Sequence, residues 1–111
     1  MPVVAIAIEA ELDLAPGTDP RAPGGAVTIG LCGGWDHEGP CRWPHNSRVD
    51  TSVNPAVLHV VVATDDEDMG EILTRVETGL DRDERWSLLR CAIRCLRADE
   101  QDLGERLVRS S

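Results

Sequence analysis

Apolar and polar residues alternate strictly over residues 3–14 of this chain. One face is apolar and the other acidic, with Ile6, Ile8, Ala10, Leu12 and Leu14 on the first and Glu9, Glu11 and Asp13 on the second. A period of two residues is typical of a β-strand that has one buried and one solvated face. The pattern therefore predicts a first strand over this segment.

Residues 26–32 alternate in the same way, with Val27, Ile29 and Leu31 on one face. The intervening residues 16–25 are rich in proline and glycine, which is typical of a loop. We therefore predict that the two alternating segments pair as an antiparallel hairpin with a long loop at its tip.

Residues 57–64 are rich in β-branched side chains and predict a central third strand. The sequence Thr64-Asp-Asp-Glu67 that follows has the form of a capping box, which predicts the start of a helix. Apolar residues then recur at helical spacing, at Met69, Ile72, Leu73, Val76 and Leu80. We expect this helix to end at Gly79. The acidic run at residues 65–68 is explained by capping, because carboxylates stabilise the exposed N–H groups of a helix start.

Residues 84–97 fit two patterns. As a strand, Leu89, Cys91, Ile93 and Cys95 alternate with Arg90, Ala92 and Arg94; as a helix, one stripe holds Trp86, Leu89, Ile93 and Leu96. We favour the helix, because Asp81-x-x-Glu84 can cap it and most of its residues are good helix formers. Its Arg90, Arg94 and Arg97 would then form a solvated stripe paired with local Asp and Glu residues. An amphipathic pattern over residues 99–109 predicts a further helix.

Together these segments predict a single α+β domain over residues 1–111. An antiparallel sheet of about three strands occupies the N-terminal half, and two or three C-terminal helices pack on one face of it. The chain has 41% hydrophobic residues but no Phe and no Tyr, so the core must be mainly aliphatic.

The formal net charge of -9 argues against nonspecific binding to nucleic acids and to anionic membrane surfaces. The apolar N-terminal residues lack a basic flank and are interrupted by Glu9 and Glu11, so they do not predict a signal peptide. We therefore expect a cytoplasmic protein with reduced cysteines. Phosphate-binding, dinucleotide-binding and nucleophile-elbow motifs are not found in the sequence.

Residues 32–45 are the most chemically dense segment. Cys32, His37, Cys41 and His45 supply two thiolates and two imidazoles, a ligand set that zinc prefers. Asp36 and Glu38 flank His37 and can orient its ring from the outer shell. The alternative interpretation is ordinary packing, in which Cys32 ends a strand and Cys41 and the tryptophans hold the loop on the sheet.

The sequence favours a noncatalytic function, that of a cytoplasmic accessory or protein-interaction domain with a structural zinc ion in the 32–45 loop. Its expected partner is another protein or a second copy of the chain. A homodimer is predicted because the 84–97 helix would be apolar around more than half its circumference. The alternative is a small enzyme with an acid/base or metal-assisted site built from Asp36, His37, Glu38, Cys41, His45 and His59. A partly buried, hydrogen-bonded residue is the simpler interpretation of His59.

Overall fold

The computed structural model describes residues 3–32 and 43–110 of the chain. Its four strands are β1 (Val4–Leu14), β2 (His45–Asp50), β3 (Ala56–Thr64) and β4 (Trp86–Arg94). Its three α-helices are α1 (Ala22–Cys32), α2 (Met69–Asp81) and α3 (Gln101–Ser110). Short 3-10 turns precede α2 and α3. The predicted α+β class is confirmed, with four strands where about three were expected. No helix in the described ranges is both long and apolar enough to cross a bilayer.

The four strands form one sheet in the order β2-β3-β1-β4, and every neighbouring pair is antiparallel. Apart from α3, the chain therefore runs β-α-β-β-α-β, with β3 between β1 and β2 and with β1 between β3 and β4. This is the split β-α-β arrangement of ferredoxin-like folds. The arrangement describes the architecture and does not identify a function.

The predictions for β1 and β3 are confirmed, and β3 is an interior strand as expected. The predicted hairpin between 3–14 and 26–32 is wrong, because the second segment lies within helix α1. Val27 and Leu31 are buried one helical turn apart, whereas Ile29 between them is 44% exposed. Pro23 is tolerated near the start of this helix because the N–H groups of the first turn have no carbonyl partner within the helix, so the N–H that proline lacks is not needed there.

The sheet has two chemically different faces. The inner face carries the main core, in which α1 and α2 pack on the sheet through Ile6, Ile8, Ala10, Leu12, Val27, Leu31, Trp43, Leu58, Val60, Val62, Ile72, Val76, Leu80 and Trp86. Helix α3 lies against the outer face, where Gly104 packs closely on Ala5 and Leu96. The helices are thus not all C-terminal and not all on one face, contrary to the prediction.

Segment 84–97 forms strand β4 rather than the favoured helix. Trp86 and Leu88 pair with Leu14 and Leu12 of β1, but the register shifts between Leu12 and Glu11. This β-bulge leaves Leu89 as an extra residue that is 56% exposed. The prediction of a homodimer was based on a broad apolar helix in this segment. Because the segment forms a strand, that argument does not apply.

Helix α2 is confirmed, although its ends differ from the prediction. Asp65 rather than Thr64 caps the preceding 3-10 turn, since its Oδ1 atom accepts a hydrogen bond from the Asp68 N–H at 3.0 Å. The helix continues past Gly79 to Asp81. Gly79 instead lies at the contact with α1, close to the backbone of Ala26 and Gly30.

Candidate functional site

The sequence-predicted site residues are divided between the two faces of the sheet. Cys32 is the last residue of α1, on the inner side, and His45 is the first residue of β2. His59 lies on β3 and faces the outer side, because it is directly opposite Glu9 of β1 and Arg48 of β2. The other predicted residues, which are Asp36, His37, Glu38 and Cys41, lie outside the described residues. His45 and His59 therefore cannot contribute to one small catalytic site.

The imidazole of His45 lies between its own strand and helix α1. Its Nδ1 atom is 3.0 Å from the Trp43 carbonyl oxygen, and its Nε2 atom is 3.2 Å from the Thr28 hydroxyl. A carbonyl only accepts, so Nδ1 must carry a proton in this contact. The Thr28 hydroxyl also donates to the Gly24 carbonyl at 3.1 Å, so contacts at both ring nitrogens hold the imidazole between β2 and α1.

The main polar feature of the described structure is the outer-face cluster, defined here as Glu9, Arg48, His59, Arg90, Arg94, Arg97 and Glu100. Glu9 is at its centre, with a mostly buried carboxylate. Its Oε2 atom accepts from Arg90 at 3.1 Å. Its Oε1 atom accepts from Arg94 at 3.3 Å and from Arg97 at 3.0 Å. One carboxylate on β1 thus fixes three guanidinium groups from β4 and the segment that follows it.

Arg94 connects Glu9 to a second buried carboxylate, that of Glu100. The two guanidinium Nη atoms of Arg94 donate to the two Glu100 oxygens at 2.7 and 3.0 Å, in a bidentate pair. Glu100 is only 4% exposed and also accepts from the Arg97 backbone N–H. The hydrogen bonds from Arg94 lower the pKa of Glu100 to about 2, so it is ionised at neutral pH.

His59 completes the cluster and is 6% exposed. Arg94 donates to its Nδ1 atom at 3.0 Å, which requires Nδ1 to be the unprotonated nitrogen of a neutral ring. Burial lowers the pKa of His59, and the charges of Arg48, Arg94 and Arg97 lower it further against the opposing effect of Glu9. The buried, hydrogen-bonded interpretation of His59 is therefore confirmed.

The exposed part of the cluster has more hydrogen-bond donors than acceptors. A guanidinium has five N–H groups. Within residues 3–32 and 43–110, Arg90 and Arg97 each donate one hydrogen bond and Arg48 donates none. The side chains of Arg90 and Arg97 are 57% and 53% exposed. A ligand rich in acceptors, such as a carboxylate, would complement this surface.

A groove of about 910 Å³ lies between α1 and α2 rather than near His59. Its acidic lining residues Asp19 and Asp83 are ion-paired with Arg21 and Arg85. Hydrogen bonds from Arg85 lower the pKa of Asp83 to about 2. Neither carboxylate is available as a general base of ordinary strength.

Cys91 and Cys95 lie in different environments. Cys91 is half-buried on the inner face of β4, and burial raises the pKa of its thiol to about 11. The thiolate is the reactive form of cysteine, so Cys91 is unreactive at neutral pH. Cys95 follows the strand and is exposed.

Sequence reasoning identified the arginines of the cluster but not their partners. The prediction paired Arg90, Arg94 and Arg97 with local acidic residues along a helix. Only Glu100 is local, whereas Glu9 is more than 80 positions away in the sequence. The alternation of residues 3–14 contained a signal for this pairing, because acidic residues on the solvated face of one strand are stabilised by basic residues on the neighbouring strand.

We expect the pKa of His59 to be lower than 6.5, and to respond in opposite directions to two substitutions. Glu9→Gln removes the one charge that raises this pKa, so the pKa should fall further. Arg48→Gln removes a charge that lowers it, so the pKa should rise. Imidazole NMR titration measures both shifts, and equal pKa values in the two variants would contradict the assignment. Because the folded pKa is below the unfolded one, stability should decrease as the pH falls below about 6.5.

Comparison with known proteins adds no identification. No family model matches the sequence, and no similar sequence was found among curated proteins.

Proposed function

We propose that this chain is a noncatalytic protein-interaction domain that binds an acidic segment of a protein partner on the open part of the outer sheet face. The observation that carries the proposal is the pair of exposed arginines, Arg90 and Arg97, held in place by the mostly buried Glu9 carboxylate. Arginine is common at energetically important positions of interfaces. Ordered guanidinium groups on a rigid sheet lose less conformational freedom on binding than flexible surface side chains do.

The geometry favours binding over catalysis. An acid/base site needs a titratable group that can reach a substrate position in a pocket. In the described residues, the buried titratable groups His59 and Glu100 both bond to Arg94. The groove between α1 and α2 lies elsewhere and contains paired carboxylates. The enzyme alternative also needed His45 and His59 together, and they lie on opposite faces of the sheet.

A capture experiment with matched variants tests this function. The variant Arg90→Gln/Arg97→Gln removes two arginines of the cluster, and Arg106→Gln/Arg109→Gln makes the same charge change on the exposed side of α3. If each interface arginine contributes about 1–2 kcal/mol, the first variant should retain at least tenfold less of the partner from an extract of the source cells. The second should behave like the wild type. Equal capture by the two variants, measured by quantitative mass spectrometry, would refute the proposal.

We also propose a structural zinc ion bound by Cys32, His37, Cys41 and His45. The tautomer of His45 supports it, because Nδ1–H donates to a carbonyl and leaves Nε2 as the ligand atom, an arrangement common in metal sites. Thr28, which Nε2 contacts, is one helical turn before Cys32. No group of three or more His, Cys, Asp or Glu suitable for a metal occurs among the described residues, of which His37 and Cys41 are not part.

Native mass spectrometry of protein purified without an affinity tag tests the zinc proposal. We expect one zinc ion per chain, and loss of binding in both Cys32→Ser and His45→Ala. Binding should weaken below about pH 6, as imidazoles take up protons and thiolates become harder to form. A chain that stays metal-free in added zinc would refute the zinc proposal, while the protein-binding proposal would remain.

A further inference from the structure

Strand β4 is an edge of the sheet, and one side of it is unpaired. It is bonded to β1 on one side. Within residues 3–32 and 43–110, no backbone hydrogen bond joins its other side to any element. An unpaired edge offers a row of N–H and C=O groups that can take up a further strand.

The side chains of β4 form one basic row and one apolar row. Arg90 and Arg94 lie on the outer face, and Leu88, Cys91 and Ile93 lie half-buried on the inner face. Neighbouring strands place their side chains in the same rows, so a strand added at this edge would meet the exposed Arg90 on one face and apolar groups on the other.

The pairing of β4 with β1 shows which side chains pack well beside these two rows. There β1 places Glu11 opposite Arg90 on the outer face, and Ala10 and Ile8 opposite Cys91 and Ile93 on the inner face. The alternation of acidic and apolar residues in β1 is thus the complement of β4. A second strand of the same chemistry would meet the same two rows from the other side.

We propose that the free edge of β4 receives an extended segment of a protein partner in which acidic and apolar residues alternate. This inference rests on the proposed protein-binding function and specifies its mode. The bulge at Leu89 interrupts the edge, so the added strand pairs with Arg90–Arg94. A second copy of β4 is a poor occupant, because the strand contains two arginines and no acidic residue to oppose them.

Synthetic peptides test this mode of binding. The probe is the capped heptapeptide Val-Glu-Val-Glu-Val-Glu-Val, and the matched control replaces each Glu by Lys. We expect the acidic peptide alone to bind and to protect alternate amides of Arg90–Arg94 from hydrogen exchange. Arg90→Gln should weaken binding several-fold, and Arg109→Gln should not.

Two N-methylated forms of the acidic peptide separate strand addition from side-chain attraction. Each form is methylated at alternate residues, so that one edge of the extended peptide loses its donors. Only one edge pairs with β4, so one form should bind at least about tenfold more weakly and the other within about twofold of the parent. Equal binding of both forms would overturn strand addition. Failure of the acidic peptide to bind would also overturn it, and dependence of partner capture on Arg90 and Arg97 would still decide the proposed function separately.

Discussion

Arg94→Met is expected to lower the free energy of unfolding by about 3 kcal/mol, the largest effect we predict for a single polar side chain. Methionine keeps the aliphatic stem of the side chain but removes every donor. Glu100, which is 4% exposed, then loses both bonds of its bidentate pair, and His59 loses its donor. A buried charge without its partner costs more than the pair contributed. Urea denaturation at neutral pH measures the loss.

The double variant Arg94→Met/Glu100→Gln distinguishes this cause from lost packing. Gln keeps an acceptor for the Arg97 N–H but carries no charge, so most of the lost stability should return. The exposed pair of Arg21 and Asp19 provides a control, and Arg21→Met should leave the free energy of unfolding nearly unchanged. If the double variant is as unstable as Arg94→Met, the buried charge is not the cause.

The pH dependence gives an independent check on the same pair. The native pKa of Glu100 is about 2, against an ordinary value of 4.5. A lowered carboxyl pKa adds stability above about pH 4.5, and this stability is lost as the pH falls towards 2. Arg94→Met removes the main cause of the lowered pKa. The unfolding free energies of wild type and variant should therefore converge on acidification.

Gly30→Ala and Gly79→Ala are each expected to destabilise the protein by about 2 kcal/mol, although alanine is the better helix former. A Cβ atom at Gly30 would lie 2.6 Å from the Arg75 carbonyl oxygen, and one at Gly79 would lie 2.8 Å from the Ala26 carbonyl oxygen. Both contacts are with helix backbone, which cannot move without separating α1 from α2. Thermal or chemical unfolding measures the effect.

Gly70 is the matched control, because it lies in the same helix as Gly79 and a Cβ atom there would meet nothing within 4 Å. Gly70→Ala should stabilise the protein by up to about 1 kcal/mol. The two interface variants should also be less than additive, since a helix pair separated by the first methyl group accommodates the second more easily. A stabilised Gly30→Ala protein would refute the close contact of the two helices.

Local pattern was sufficient for the elements whose periodicity is regular. The alternation in β1, the β-branched run in β3 and the apolar spacing in α2 and α3 all predicted the observed elements. The Asp65–Asp68 run was correctly assigned to capping, although the capping residue was displaced by one position. The prediction also identified three of the four arginines of the outer-face cluster.

The errors have identifiable physical causes. In β4, inward-facing residues occur at 86, 88, 91 and 93, because the bulge adds one position to the strand. Spacings of two, three and two residues resemble a helical repeat as much as a strand. In α1, Ile29 alternates with Val27 and Leu31 but is exposed, so a chance alternation concealed the helical spacing of the buried pair. Neither the bulge nor the long-range partner Glu9 can be read from local pattern.

The position of β1 between β3 and β4 affects the protein during its synthesis. β1 leaves the ribosome before its two partners, which begin only at Ala56 and Trp86. Both edges of this long strand therefore remain unpaired until β3 and β4 have been made, and contact between nascent chains can start aggregation in that interval. Glu9, Glu11 and Asp13 provide the charge repulsion that opposes it. The carboxylates that bind arginines in the folded protein therefore also oppose aggregation of the incomplete chain.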